Sequence, residues 1–129
     1  MSSLESGADT AVTLVVPGRP EYLRLVRLAA ADCGARAGLS IEEVEDLRIA
    51  VDELAYALFG DEGAAGDMTL RYFAHTGMVE VEGTCAAPGG AAIPVGDLSR
   101  TIISAVVDEH ELVAENGTRR FRLVKRAQV

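Results

Sequence analysis

The stretch SIEEVEDLRIAVDELAYALFG, residues 40–60, decides the fold. Ser40 with Glu43 three places on is a capping box, in which hydroxyl and carboxylate each satisfy an orphan amide of a helical first turn. Ile41, Val44, Leu47, Val51, Leu54 and Leu58 then recur at intervals of three and four, the spacing of a single apolar helix stripe. Gly60 supplies the stop. A second strip, Asp46, Ala50, Glu53 and Ala57, has the same spacing and falls well away from that stripe.

Toward the N-terminus, Ala11 to Val16 is a β-rich run ended by Pro17-Gly18. Pro20 suits the first turn of a helix, because its missing N–H costs nothing there. The apolar residues from Tyr22 to Ala30 carry that helix to about Arg36, before Gly38. Toward the C-terminus, a glycine-rich turn (61–67) precedes a hairpin predicted over 68–74 and 78–82 through Thr76-Gly77. A Gly/Ala/Pro-rich loop is expected over 83–95, then a helix near 97–107. Two last strands, about 109–114 and 118–125, join through Asn116-Gly117, among the strongest short hairpin signals. The order β-α-α-β-β-α-β-β predicts an α/β two-layer sandwich: a mixed, mostly antiparallel sheet with helices on one face. Residues 1–10 read as a disordered lead-in and 11–129 as one domain.

The chain's 129 residues suit a single core. No run approaches the ~18 apolar residues of a membrane span, and the polar start with Glu5 and Asp9 is not a secretory signal, so a cytoplasmic protein is expected. Cys33, Cys85, His75 and His110 offer no metal-ligand spacing, and the two cysteines read as reduced, mostly buried thiols. The net charge of −8 argues against nucleic acid. Between residues 40 and 67 nine acids face one base, Arg48, whereas 119–126 carries Arg119, Arg120, Arg122, Lys125 and Arg126. The acidic run is either a solvated helix face or a surface that steers a basic partner.

The order of elements, the run Glu45-Asp46-Leu47-Arg48-Ile49-Ala50-Val51-Asp52-Glu53 and the run Asn116-Gly117-Thr118-Arg119 together resemble one family. It is that of the anti-sigma-factor serine kinases of the RsbW and SpoIIAB type, with the histidine-kinase and Hsp90-like ATPase fold. The resemblance spans about 13–125 and is nearest in style to divergent, UsfX-like actinobacterial members. It implies a domain that sequesters a sigma factor and, where kinase-active, uses ATP and Mg²⁺ to phosphorylate a serine on an anti-anti-sigma (STAS-type) protein. It also implies a homodimer.

The ATP motifs of that family depart here. Glu53 matches the general base, but Ala57 stands where the family's Asn holds Mg²⁺, and a methyl group cannot coordinate a hard cation. The places of the adenine-reading Asp-x-Gly-x-Gly fall on Gly83, Cys85 and Ala87. The phosphate-binding Gly-x-Gly falls on Asp97 and Ser99, and a carboxylate there repels a triphosphate. Thr118 alone fits the last motif; Gly89-Gly90 lacks the flanking pattern of a phosphate fingerprint. Phosphoryl transfer is mostly positioning and charge neutralisation, so the expectation is an impaired or lost kinase with no cofactor. Glu53 is then a vestigial base or an ordinary solvated carboxylate.

The partner-binding positions fare better. Tyr22-Leu23-Arg24-Leu25 matches the family's binding helix, which makes Tyr22, Arg24 and, one turn on, Arg27 the candidate contacts. Cations at a helix start oppose its dipole, a feature that either binding or a plain surface pair accommodates. The expectation is an anti-sigma-factor-like regulator. The alternatives are a working serine-protein kinase and an interaction module of unrelated descent.

Overall fold

The computed structural model describes residues 10–59, 66–87, 93 and 95–128. Strand β1 (Thr10–Pro17) leads through a 3₁₀ turn (Pro20–Tyr22) into α1 (Leu23–Arg36) and α2 (Ile41–Phe59). There follow β2 (Asp67–His75), β3 (Met78–Ala86), α3 (Asp97–Val106), β4 (Glu109–Glu115) and β5 (Thr118–Arg126). The element order is the expected one. The lead-in 1–9, the stop at Gly60, residues 61–65 and the loop positions 88–92 and 94, Gly89-Gly90 among them, lie outside the described residues.

The strands run in the order β1-β2-β3-β5-β4, and all four pairings are antiparallel, so the sheet has no parallel pair among the described residues. Period-two alternation sends Met68, Leu70 and Tyr72 of β2, Val79 and Val81 of β3 and Phe121 and Leu123 of β5 into one buried layer. Leu47, Val51, Leu54 and Leu58 of α2 meet them there; each such side chain removed from water contributes about 2 kcal/mol. Buried Tyr72 donates its hydroxyl hydrogen to the Val26 carbonyl of α1 at 3.0 Å, which ties that helix to the sheet.

Three expectations need correction. β3 runs to Ala86, so residues 83–86 are sheet rather than loop: Gly83 and Cys85 continue the inward alternation of Val79 and Val81. Ile41, placed on the core stripe, is 86% exposed because it sits at the first residue of α2, before the helix reaches the sheet. The strip Asp46, Ala50, Glu53, Ala57 is not clear of the core, since Ala50 and Ala57 are both buried.

The capping box forms as read, with the Ser40 amide on Glu43 Oε1 at 2.8 Å and the Glu43 amide on Ser40 Oγ at 3.1 Å. The β4–β5 hairpin turns through Asn116 (φ 53°) and Gly117 (φ 75°), the left-handed pair that a tight hairpin requires. On the face away from the helices, the bases of the C-terminal run are engaged. Arg122 Nε donates to fully buried Glu80 at 2.7 Å, Arg126 pairs with Glu109, and Arg120 reaches Glu111 and Glu115. No helix among the described residues is long and apolar enough to cross a membrane.

Candidate functional site

Helix α2 places its carboxylates differently on its two flanks. On the side toward α3, Asp46 accepts a hydrogen bond from Lys125 Nζ at 3.2 Å, and the same ammonium donates to the Val106 carbonyl at the end of α3, 2.8 Å away. The Lys125 side chain is only 8% exposed, so one buried cation joins α2, α3 and β5. Ala50 and Ala57, on the same strip, are buried. Glu53 is half-buried and makes neither a hydrogen bond nor an ion pair among the described residues.

The end of β3 closes against the last turn of α2. Gly83 is paired with Leu70 on one side and Phe121 on the other, and a Cβ built on it would lie 2.2 Å from the Phe121 ring. That place is the seat of an aromatic ring and admits no side chain, least of all a base-reading carboxylate. Two residues on, Cys85 Sγ donates to the Leu58 carbonyl at 3.3 Å, and Arg119 Nη1, on the neighbouring strand, donates to the same oxygen at 3.1 Å. Carbonyls in the last turn of a helix have no intrahelical partner, and a cation there also complements the dipole. Burial pushes the Cys85 thiol up and Arg119 opposes that shift; burial likewise raises Cys33, and both cysteines are unbridged. Arg119 Nε is buried and has no partner.

The remaining motif places are simpler. Thr118 is exposed at the head of β5, opposite Ala86 and Glu115, and the Ala87 amide donates to the Gly117 carbonyl at 2.7 Å. Asp97 is exposed in the first turn of α3, where a carboxylate favours the helix itself. Taken as a set, these residues do not fit the family's MgATP: Ala57 offers no metal ligand, the Gly83 place is filled by Phe121, and Asp97 stands at the phosphate end. Sequence reasoning missed Arg119 and Cys85 as a clamp on α2, and Lys125 as its counterpart at the other end. The signal available was their inward register on β3 and β5.

At the start of α1 the three candidate contacts have different surroundings. Tyr22 is half-buried, with the Arg19 guanidinium 5.7 Å over its ring. Arg24 is exposed and, among the described residues, makes no ion pair or side-chain hydrogen bond. Arg27 is different: its Nη1 donates to Asp52 Oδ1 of α2 at 2.6 Å. Beside them Leu25 and Leu28 are 48% and 53% exposed.

No protein-family model matches the chain. It is similar to the RsbW serine-protein kinase of Listeria monocytogenes, 39% identical over 75 residues that cover 54% of this chain and 46% of the relative. Bacillus subtilis RsbW is 32% identical over 81 residues, covering 60% and 50%. Among solved structures, the RsbU and RsbW domains of a Mycobacterium tuberculosis protein superpose with a TM-score of 0.69 over 91% of this chain and 32% of that one, at 15% identity. The chain is similar to RsbW-type proteins over about half its length. The structural likeness carries the fold, and the sequence likeness covers residues of that fold. An unrelated module that shared only the order of elements would show no such identity. The chain spans about half the length of the curated relatives it matches.

Proposed function

We propose that this RsbW-type chain is an anti-sigma-factor-like regulator that sequesters a sigma factor, an anti-anti-sigma (STAS-type) protein, or both, with its kinase activity impaired or lost. The observation that carries the reading is Arg24, a cation unpaired among the described residues of a chain of net charge −8, flanked by exposed Leu25 and Leu28 at the head of α1. Cation and apolar anchors side by side suit a protein interface. A homodimer belongs to the same proposal.

The impaired-kinase half rests on the residues at the end of α2, which hold that helix to the sheet and supply no metal ligand. Calorimetric titration with ATP and Mg²⁺, with ADP in parallel, tests it: no saturable heat is expected up to millimolar nucleotide. Saturation at micromolar nucleotide would overturn it. Arg24→Glu should then weaken capture of a sigma factor roughly tenfold or more, while leaving the far-UV circular dichroism unchanged.

One observation favours a second reading, a working serine-protein kinase. Glu53 is half-buried and unpartnered at the family's general-base position, and the relatives bear the kinase name. That reading requires phosphate transfer from ATP to a STAS-type protein that is lost on Glu53→Ala.

A further inference from the structure

The far edge of the sheet carries a second surface, independent of α1. Strand β4 is last in the order and pairs with β5 alone, so its outer N–H and C=O groups have no ladder partner among the described residues. Between it and α3 runs a cleft of about 490 Å³. Val95, Ile103, Leu112 and Ala114 give it apolar wall positions beside Glu111, which is paired with Arg120, and Arg100 and His110 stand with them. Both of the latter are exposed, and among the described residues neither makes a side-chain hydrogen bond or ion pair.

Arg100 is unusual for that reason. Acids outnumber bases by 20 to 12 in this chain. The neighbouring cations Arg120, Arg122, Lys125 and Arg126 are each bound to a carboxylate. A guanidinium without a partner among the described residues, at the rim of such a cleft, suits a carboxylate, which it can grip by two parallel hydrogen bonds. A free strand edge beside a helix-walled groove is the geometry of β-strand addition, with main-chain bonds for affinity and alternate side chains for specificity.

We propose that β4 and α3 form a docking cleft for an extended segment of another protein. The segment adds to the free edge of β4, places alternate apolar side chains over Leu112 and Ile103, and sets a carboxylate against Arg100 and His110. A second copy of this chain fits less well. Its own β4 carries three glutamates in seven residues. It would bring Glu109, Glu111 and Glu115 against their like, and facing like charges destabilise.

The test is a nuclear magnetic resonance titration of the isotope-labelled full chain. The probe is the end-blocked peptide Thr-Val-Thr-Glu-Thr-Val-Thr, with its Gln twin as control. Shifts confined to β4 and α3 are expected, with slowed exchange of the β4 amides. The Gln twin should bind roughly fivefold more weakly, the worth of about one charge-assisted hydrogen bond at a partly exposed site. Arg100→Gln, a surface change, should abolish the difference between the two peptides. Equal binding of both peptides to the parent chain would overturn the proposal, as would silence of β4 at millimolar peptide. Concentration-dependent broadening of β4 without any peptide would overturn it too, by assigning the edge to a second copy.

Discussion

The two flanks of α2 show how one helix divides structure from availability. Toward α3 the flank is lined with alanine and tied at both ends: Lys125 holds Asp46 at one end, and Cys85 and Arg119 hold the Leu58 carbonyl at the other. Toward α1 the flank is polar and shallow. Asp52 meets Arg27 there, and an apolar groove of about 290 Å³ remains between Ala31 and Ala35 of α1 and Ile41 and Val44 of α2. Polar groups on the closed flank hold the fold together. On the open flank they are screened by water. The difference teaches that one helix can spend the polar groups of one flank on locking the fold and leave those of the other in water.

The largest effect expected comes from trying to reopen the closed flank. Gly83→Asp would restore a carboxylate at the supposed base-reading place, yet its Cβ would strike the Phe121 ring and its charge would be buried without a partner. A loss of about 3 kcal/mol or more follows, to be read as a fall in the urea midpoint. Gly83→Ala should cost less, about 1–3 kcal/mol by overpacking alone. Combining it with Phe121→Ala should cost less than the sum of the two, because one removes the clash made by the other. Additivity there would break the claim that the ring occupies the site. Next comes Lys125→Met, which keeps the buried stem and removes the ammonium shared by Asp46 and Val106. We expect a loss of about 1–2 kcal/mol in chemical denaturation, softened because Asp46 is 39% exposed and regains water.

The fold was largely legible because its signals are local. The capping box, the Leu47-Val51-Leu54-Leu58 stripe and the Asn116-Gly117 turn each act within a few residues, and each formed as read. What was not legible depends on pairings across the sheet. Gly83 reads as a loop glycine until register sets it beneath Phe121, 38 residues later in the chain. Ala50 reads as a bystander until the assembled fold buries it. Lys125, in a basic run, reads as a surface charge, although its register turns it inward while Arg122 and Arg126 point to the other face. At the head of α1 the bond from Arg27 to Asp52 was not legible, since it joins residues 25 apart on different helices.

The open flank should show its character in a double-mutant cycle on Arg27 and Asp52. The two side chains are 35% and 37% exposed, so water screens the pair despite its 2.6 Å separation. A coupling of about 0.2–1 kcal/mol is expected, falling as salt rises. A coupling as large as the Lys125 loss would erase the contrast between the flanks.

The smallest effect concerns acid stability, at the start of the same helix. The Ser40 amide and then the Gln128 amide donate to Glu43, and these bonds hold its carboxyl below the usual range against the opposing effect of burial. Its pKa is therefore lower folded than unfolded, where it is about 4.3. A depressed carboxylate contributes stability in full above the unfolded value and loses it as pH falls through the folded one. Glu43→Gln keeps an acceptor for the amides but cannot titrate. The gap in urea midpoint between the parent chain and Glu43→Gln should thus be widest near neutral pH and close as pH falls below about 4. A gap that stayed constant across that range would mean that the amides favour the acceptor oxygen and not its charge. The tie between the C-terminal residues and α2 would then be one of shape alone.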